Sequence, residues 1–290
     1  MVEPDAGSTV PRRQLGRMLK EARESAGLAL DGAARELEFS RNKMYRIEGG
    51  RAPLRKVDVV AMCSLYGVAR DLVPVLVALA AETRNKGWWH AYGEVIPPWF
   101  ELFVGLEAAA SRIREYQAGL IPGLLQVEEY AEVMFRRTPD VQEEQVAQRV
   151  NVRLERQKVL SRRRPPLFDA ILDESVLHRP IPDRDGWRKQ LAALLTAGAR
   201  PGIRIRVIPS SAGPYRGVDQ GSFRISNFPE EGRYPEPTTV YSEGLTGAIY
   251  LDKPVEIAVF DMTWNALATL ALSPEASAIL IQKLHEEIPA

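Results

Sequence analysis

The stretch from Gly27 to Pro53, GLALDGAARELEFSRNKMYRIEGGRAP, constrains the fold most, because two short amphipathic helices follow each other in it with room only for a tight turn between them. Leu30, Ala33, Ala34 and Leu37 recur at i, i+3, i+4 and i+7, which gives the first helix one apolar face. Ser40 is a suitable N-cap for the second. In that second helix Met44 and Ile47 lie three apart, and Arg41, Asn42, Lys43 and Arg46 point elsewhere. Gly49 and Gly50 end it, since glycine takes the left-handed conformation of a helix C-terminal cap, and Pro53 prevents early resumption. Two helices separated by about three residues have the spacing of a helix-turn-helix.

Charge points to the partner. From Phe39 to Lys56 the cations are Arg41, Lys43, Arg46, Arg51, Arg55 and Lys56, opposed by Glu48 alone. The whole chain of 290 residues carries 38 basic and 38 acidic side chains, so no global field draws it to a polyanion and any attraction is local. A solvated basic helix face has the same charge but lacks the coincident capping and spacing. Residues 12–68 resemble the Cro/repressor (XRE-type) helix-turn-helix domain, and SRNKMYRIEGGRAP is similar to that family's recognition helix and the tail that follows it. The resemblance implies that Arg41, Asn42, Lys43 and Arg46 face the major groove of double-stranded DNA, that Ser40, Arg51 and Arg55 meet phosphates, and that Met44 and Ile47 are core. Leu30 stands where the family usually opens its first helix with a polar residue, and Glu38 where its turn usually has glycine.

The rest of the chain reads as a multidomain protein. Residues 1–11 form an aperiodic, disordered lead-in. Residues 12–83 make an all-α domain of five helices, the first from Gln14 to Ser25 and the last two over Leu54–Tyr66 and Arg70–Thr83. Cys63, the only cysteine, lies among Val59, Val60 and Met62 and reads as a buried structural thiol. Residues 84–101 form an aromatic connector, NKGWWHAYGEVIPPWF, whose rings pack within the chain or serve a protein contact. Residues 102–165 are helical, over Leu102–Gln117, Leu124–Arg137 and Gln142–Arg162, with Arg162, Arg163 and Arg164 as a solvated helix end.

Residues 166–290 form a mixed α/β domain with about five strands. Leu167–Leu172, a helix over Trp187–Ala199 and Ile203–Ile208 make a βαβ unit with parallel strands. Ser222–Phe228, Thr238–Glu243 and Ala248–Asp252 continue the sheet antiparallel, and two helices close the chain, the second with Ser273 as N-cap and Pro274 at its first position. Stretches such as VGLEAAASRIREYQAGLIPGLLQVEEYAE, ILDESVLHRP and VYSEGLTGAIYL look like the effector domain of a large actinobacterial group of XRE-type regulators, sometimes called antitoxin-like. That resemblance implies a transcriptional regulator.

Chemistry has few candidates. His90, His178 and His285 have no metal-ligand spacing, and neither a phosphate loop, a dinucleotide fingerprint nor a nucleophile elbow is present, so no catalysis, metal or cofactor is expected. Asp173, Glu174 and His178, at the end of a strand, are the best candidates for chemistry, with Asp173 or Glu174 as a general base, but read rather as a helix-capping Asp with a surface Glu and a hydrogen-bonded His. With Tyr241, Glu243 and Tyr250 on adjacent strands, Glu174 and His178 are the candidate residues of a ligand pocket. The longest apolar stretch, Leu72–Ala81, is too short to cross a bilayer, and a cytoplasmic protein with no membrane partner is expected. The leading expectation is a sequence-specific regulator, homodimeric on a palindromic operator, whose C-terminal domain dimerises and senses an effector or partner. The alternative is an antitoxin-like interaction module that binds a small partner protein and uses DNA binding for autoregulation.

Overall fold

The computed structural model describes residues 8–288 except 86, 93, 94, 97, 140, 231–234 and 245–246. The chain divides into two compact units: residues 1–91, 104–109 and 229–236 form the first, and residues 92–103, 110–228 and 237–290 the second.

The first unit contains the five helices expected: α1 (Thr9–Ser25), α2 (Leu30–Glu36), α3 (Arg41–Glu48), α4 (Lys56–Tyr66) and α5 (Val73–Glu82). Helix α1 begins at Thr9, so the lead-in expected over residues 1–11 is too long, with Pro11 tolerated in the first turn. Residues 1–7 of that expectation lie outside the described residues. Leu15, Leu19, Ala33, Met44, Ile47, Val59 and Met62 are fully buried together, and Cys63 is a buried thiol whose pKa burial raises. Each buried side chain of the size of Met44 or Ile47 contributes about 1.5 to 3 kcal/mol. Helix α1 lies directly on the end of α3, where a Cβ at Gly16 would come within 2.5 Å of the Ile47 carbonyl oxygen. Four residues link α2 to α3, and among them Glu38 adopts a left-handed backbone with φ of 54°.

After α5 the connector forms a 3-10 turn over Trp88–Tyr92 and then α6 (Pro98–Ala109). Among its described aromatics Trp89 is buried, and Phe100 stacks on Phe103 with ring centroids 5.0 Å apart.

Helix α6 stops at Ala109, and Arg112–Gln117 is strand β1, where the sequence pattern had extended the helix to Gln117. The remaining elements of the second unit are α7 (Glu128–Arg136), α8 (Glu143–Gln157), β2 (Leu167–Asp173), α9 (Arg184–Gly198), β3 (Ile203–Ile208), α10 (Arg216–Gln220), β4 (Phe223–Asn227), β5 (Thr239–Gly244), β6 (Gly247–Leu251), α11 (Pro254–Leu270) and α12 (Pro274–Glu286). Among the described residues the sheet therefore has six strands, in the order β3-β2-β1-β4-β5-β6. Strands β1, β2 and β3 are parallel and β4, β5 and β6 continue antiparallel.

Strand β1 escaped the period-2 signal because its charges are used inside the sheet. Arg112 pairs with Asp169, Arg114 with Asp261 on α11, and Glu115 with Arg224 on β4, while Ile113 and Tyr116 are fully buried. One face of the sheet packs Tyr116, Ile171, Phe223, Ile225 and Val240 against Trp264 and Leu267 of α11. Alternation along the strands puts Glu115, Arg224 and Tyr241 on the opposite face. Among the described residues no single helix is long and apolar enough to cross a membrane.

Candidate nucleic-acid interface

Helix α3 starts where its sequence dictates. Ser40 accepts the Lys43 backbone N–H at 3.1 Å, which leaves its hydroxyl proton to donate. Residues one apart on a helix are turned by about 100°, so the buried Met44 and Ile47 leave a solvent face made of Arg41, Asn42, Tyr45 and Arg46, all exposed. Tyr45 was not anticipated; at 62% exposed it is the largest apolar surface on this face, and its i+4 spacing from Arg41 was the available signal. Lys43 departs from the expected group, since it is half-buried with its ammonium 3.2 Å from the Phe39 ring centroid.

The cations differ in how they are held. Arg41 Nε lies 3.1 Å from Asp31 Oδ1 with both side chains exposed, a pairing that a phosphate or base edge can displace at little cost. Arg55 donates twice to Asp58, at 3.0 and 2.9 Å, and that bond holds the Asp58 carboxyl below its ordinary range. Arg51 is exposed at the helix end, its backbone N–H donating to the Arg46 carbonyl at 2.7 Å.

The one acid of the segment does not oppose this surface. Glu48 turns inward and takes a bidentate contact from the buried Arg23, at 2.6 and 2.8 Å, while Arg23 also donates to the Leu28 carbonyl at 2.7 Å. The hydrogen bond to Glu48 raises the Arg23 pKa, and the pair locks the end of α1 to the end of α3. What remains outside is a face of cations, an amide and a phenol. The cations can donate to phosphates and to guanine O6 and N7, and the amide can donate to adenine N7 while accepting from adenine N6–H.

The other candidate residues fall in two places. At the end of β2, Asp173 caps the Ser175 N–H at 2.9 Å and accepts from the Tyr215 hydroxyl at 2.6 Å, and Glu174 accepts the Ser210 N–H at 2.5 Å with His178 Nε2 at 3.3 Å. Burial works to raise the Asp173 pKa, but those hydrogen bonds hold it low; the Ser210 backbone N–H does the same for Glu174. These carboxylates are engaged by the turn after β2 and by Ser210 and Tyr215 in the segment after β3. On the opposite face of the sheet the Tyr241 hydroxyl donates to Glu243 at 2.7 Å, with the Tyr241 pKa raised first by burial and then by that bond, and both residues line a cavity of about 750 Å³. Tyr250 leans on Tyr241 with ring centroids 5.2 Å apart but does not line it, nor do Glu174 and His178.

Two family models match the chain. The model of a helix-turn-helix domain matches residues 14–76, and that of a domain of unknown function, DUF5753, matches residues 100–283. No curated protein matches it.

Proposed function

The chain belongs to the family of the domain of unknown function DUF5753, carried here behind a helix-turn-helix domain, and on that premise we propose that it is a sequence-specific, XRE-type transcriptional regulator rather than an enzyme. The observation that carries this reading is the outward face of α3, where Arg41, Asn42 and Arg46 stand exposed on a capped helix whose only acid is buried against Arg23. Arg41 and Arg46 read guanine edges, Asn42 pairs with adenine, Tyr45 contacts a thymine methyl or sugar, and Ser40, Arg51 and Arg55 meet phosphates. Lys43 supports the groove approach from the side. Each good base contact contributes about 1 to 3 kcal/mol of discrimination.

The regulator acts as a homodimer on a palindromic operator. Support comes from α11, where Val255, Val259 and Met262 follow one another at i, i+4 and i+7 and are 73%, 53% and 65% exposed. A stripe of that kind is covered most economically by its own copy across a two-fold axis. The antitoxin-like alternative was motivated by the aromatic connector, and the burial of Trp89 removes part of the surface it needs. Reading the chromosome places the protein in the cytoplasm.

Genome-wide mapping of bound sites, followed by titration of the best site at several salt concentrations, tests the reading. An inverted repeat with half-sites about 10 bp apart or a multiple of it is expected, with affinity falling steeply as salt rises. Binding without sequence preference would overturn it.

A further inference from the structure

We propose that the cavity on the face of the sheet away from α11 is a binding site for a small acidic molecule with a flat apolar body, such as an aromatic carboxylate. The inference makes specific the effector sensing in the regulator reading, and rests on that reading only for its consequence at DNA. At about 750 Å³ the cavity is of the size that holds small-molecule ligands. Its apolar walls are rings: Phe103 and Tyr241 lie 4.4 Å apart, Phe100 stacks on Phe103, and Phe135 stands across from them on α7.

The polar lining has a sign. Four guanidinium groups, of Arg149, Arg153, Arg156 and Arg224, face two carboxylates, of Glu115 and Glu243. Both carboxylates are engaged, Glu115 by Arg224 at 3.0 and 2.5 Å and Glu243 by the Tyr241 hydroxyl. Three of the guanidiniums are laid over rings: Arg156 is 4.8 Å from the Phe103 centroid, Arg224 4.5 Å from the same ring, and Arg153 5.0 Å from Phe135. Such stacking holds the cations in fixed orientation beside apolar surface. Arg149 differs, because its Nε is buried without a hydrogen-bond partner. A buried donor on a charged group is costly unless an acceptor meets it. An acid group entering the cavity gives the Arg149 guanidinium a counter-charge, and the rings on either side stack with the body that carries it. Neutral apolar ligands satisfy only the rings, and inorganic anions only the arginines.

Fluorescence titration of the full chain with two probes of similar shape tests this: anilinonaphthalene sulfonate, which carries an acid group, and phenylnaphthylamine, which lacks it. The sulfonate is expected to bind one site per chain about tenfold or more tightly than the neutral probe. Arg149→Met removes that preference and leaves the neutral probe unchanged, and Met134→Trp, which fills the cavity, weakens both. Equal affinity for the two probes on the unaltered chain, no binding, or an Arg149→Met protein that keeps the preference would each overturn the proposal. DNA binding measured on the same preparation separates the two readings: loss of probe selectivity with DNA binding intact overturns the pocket alone, and the converse overturns the regulator alone.

Discussion

Glu38 holds the turn between α2 and α3 in a conformation that side chains resist. It is the single non-glycine residue with positive φ among the described residues, and it is held there because the Phe39 N–H reaches the Ala34 carbonyl at 2.8 Å and its own N–H the Arg35 carbonyl at 3.1 Å. That pair of bonds closes a helix in the manner that usually selects glycine. Because a left-handed backbone costs a residue with Cβ about 1 to 2 kcal/mol and glycine loses about 0.5 to 1 kcal/mol on ordering, Glu38→Gly should stabilise the first unit by up to about 1.5 kcal/mol. A rise in the urea midpoint checks this, and a fall would mean that the Glu38 side chain contributes something its exposure does not suggest. The buried pair behaves oppositely. Glu48→Ala strands the Arg23 guanidinium in the core and should cost about 3 kcal/mol, whereas changing Arg23 and Glu48 together to Met should cost less than that single change. If the double variant were the less stable, the pair would be contributing net attraction beyond what its desolvation takes away.

At the scale of elements, legibility followed how local the determining forces are. The starts of helices α3 and α12 could be read to the residue because they depend on one side chain each, Ser40 and Ser273, and both accept the N–H three residues on at 3.1 Å. Strand β2 could be read because an apolar run bounded by turns suits a buried parallel strand, and β3 because apolar residues alternate in it with Arg204 and Arg206. Strand β1 could not, because Arg112, Arg114 and Glu115 are paid for by partners on other strands and on a helix far along the chain. The exposed face of α3 was legible from cap and period, apart from Tyr45, whose exposure is a tertiary fact, and Lys43, which packs on Phe39. The cavity was legible only at Tyr241 and Glu243, since Arg149, Arg153 and Arg156 sit on α8, whose pattern reads as solvated, and Arg224 is on β4. The apolar stripe of α11 leads to a prediction at this scale. If the proposed homodimer forms through it, Val259→Glu should lower the mass to that of a monomer in sedimentation equilibrium without loss of helix signal, and a mass equal to the parent's would contradict that contact.

For the molecule as a whole, the division of the chain does not follow the order of the sequence. Glu236 lies between β4 and β5 in sequence yet is counted with the first unit, where its side chain, 1% exposed, takes Arg13 Nε and Arg17 Nη2 at 2.5 Å each. A late segment therefore completes the unit that carries α3. Glu236→Ala should weaken that unit by about 2 kcal/mol, the scale of hydrogen bonds to a charged group, seen as an earlier helical transition on heating. An unchanged transition would mean that the contact adds nothing to the stability of the unit.

The central claim is that the outward face of α3 reads bases, and selection of bound duplexes from a randomised pool by the parent and by Asn42→Ala tests it most directly. The account predicts that the parent enriches an inverted repeat and that Asn42→Ala loses its preference at one position in each half-site, with the remaining positions kept. Enrichment of the same sequence by both proteins, or of none by the parent, would contradict it.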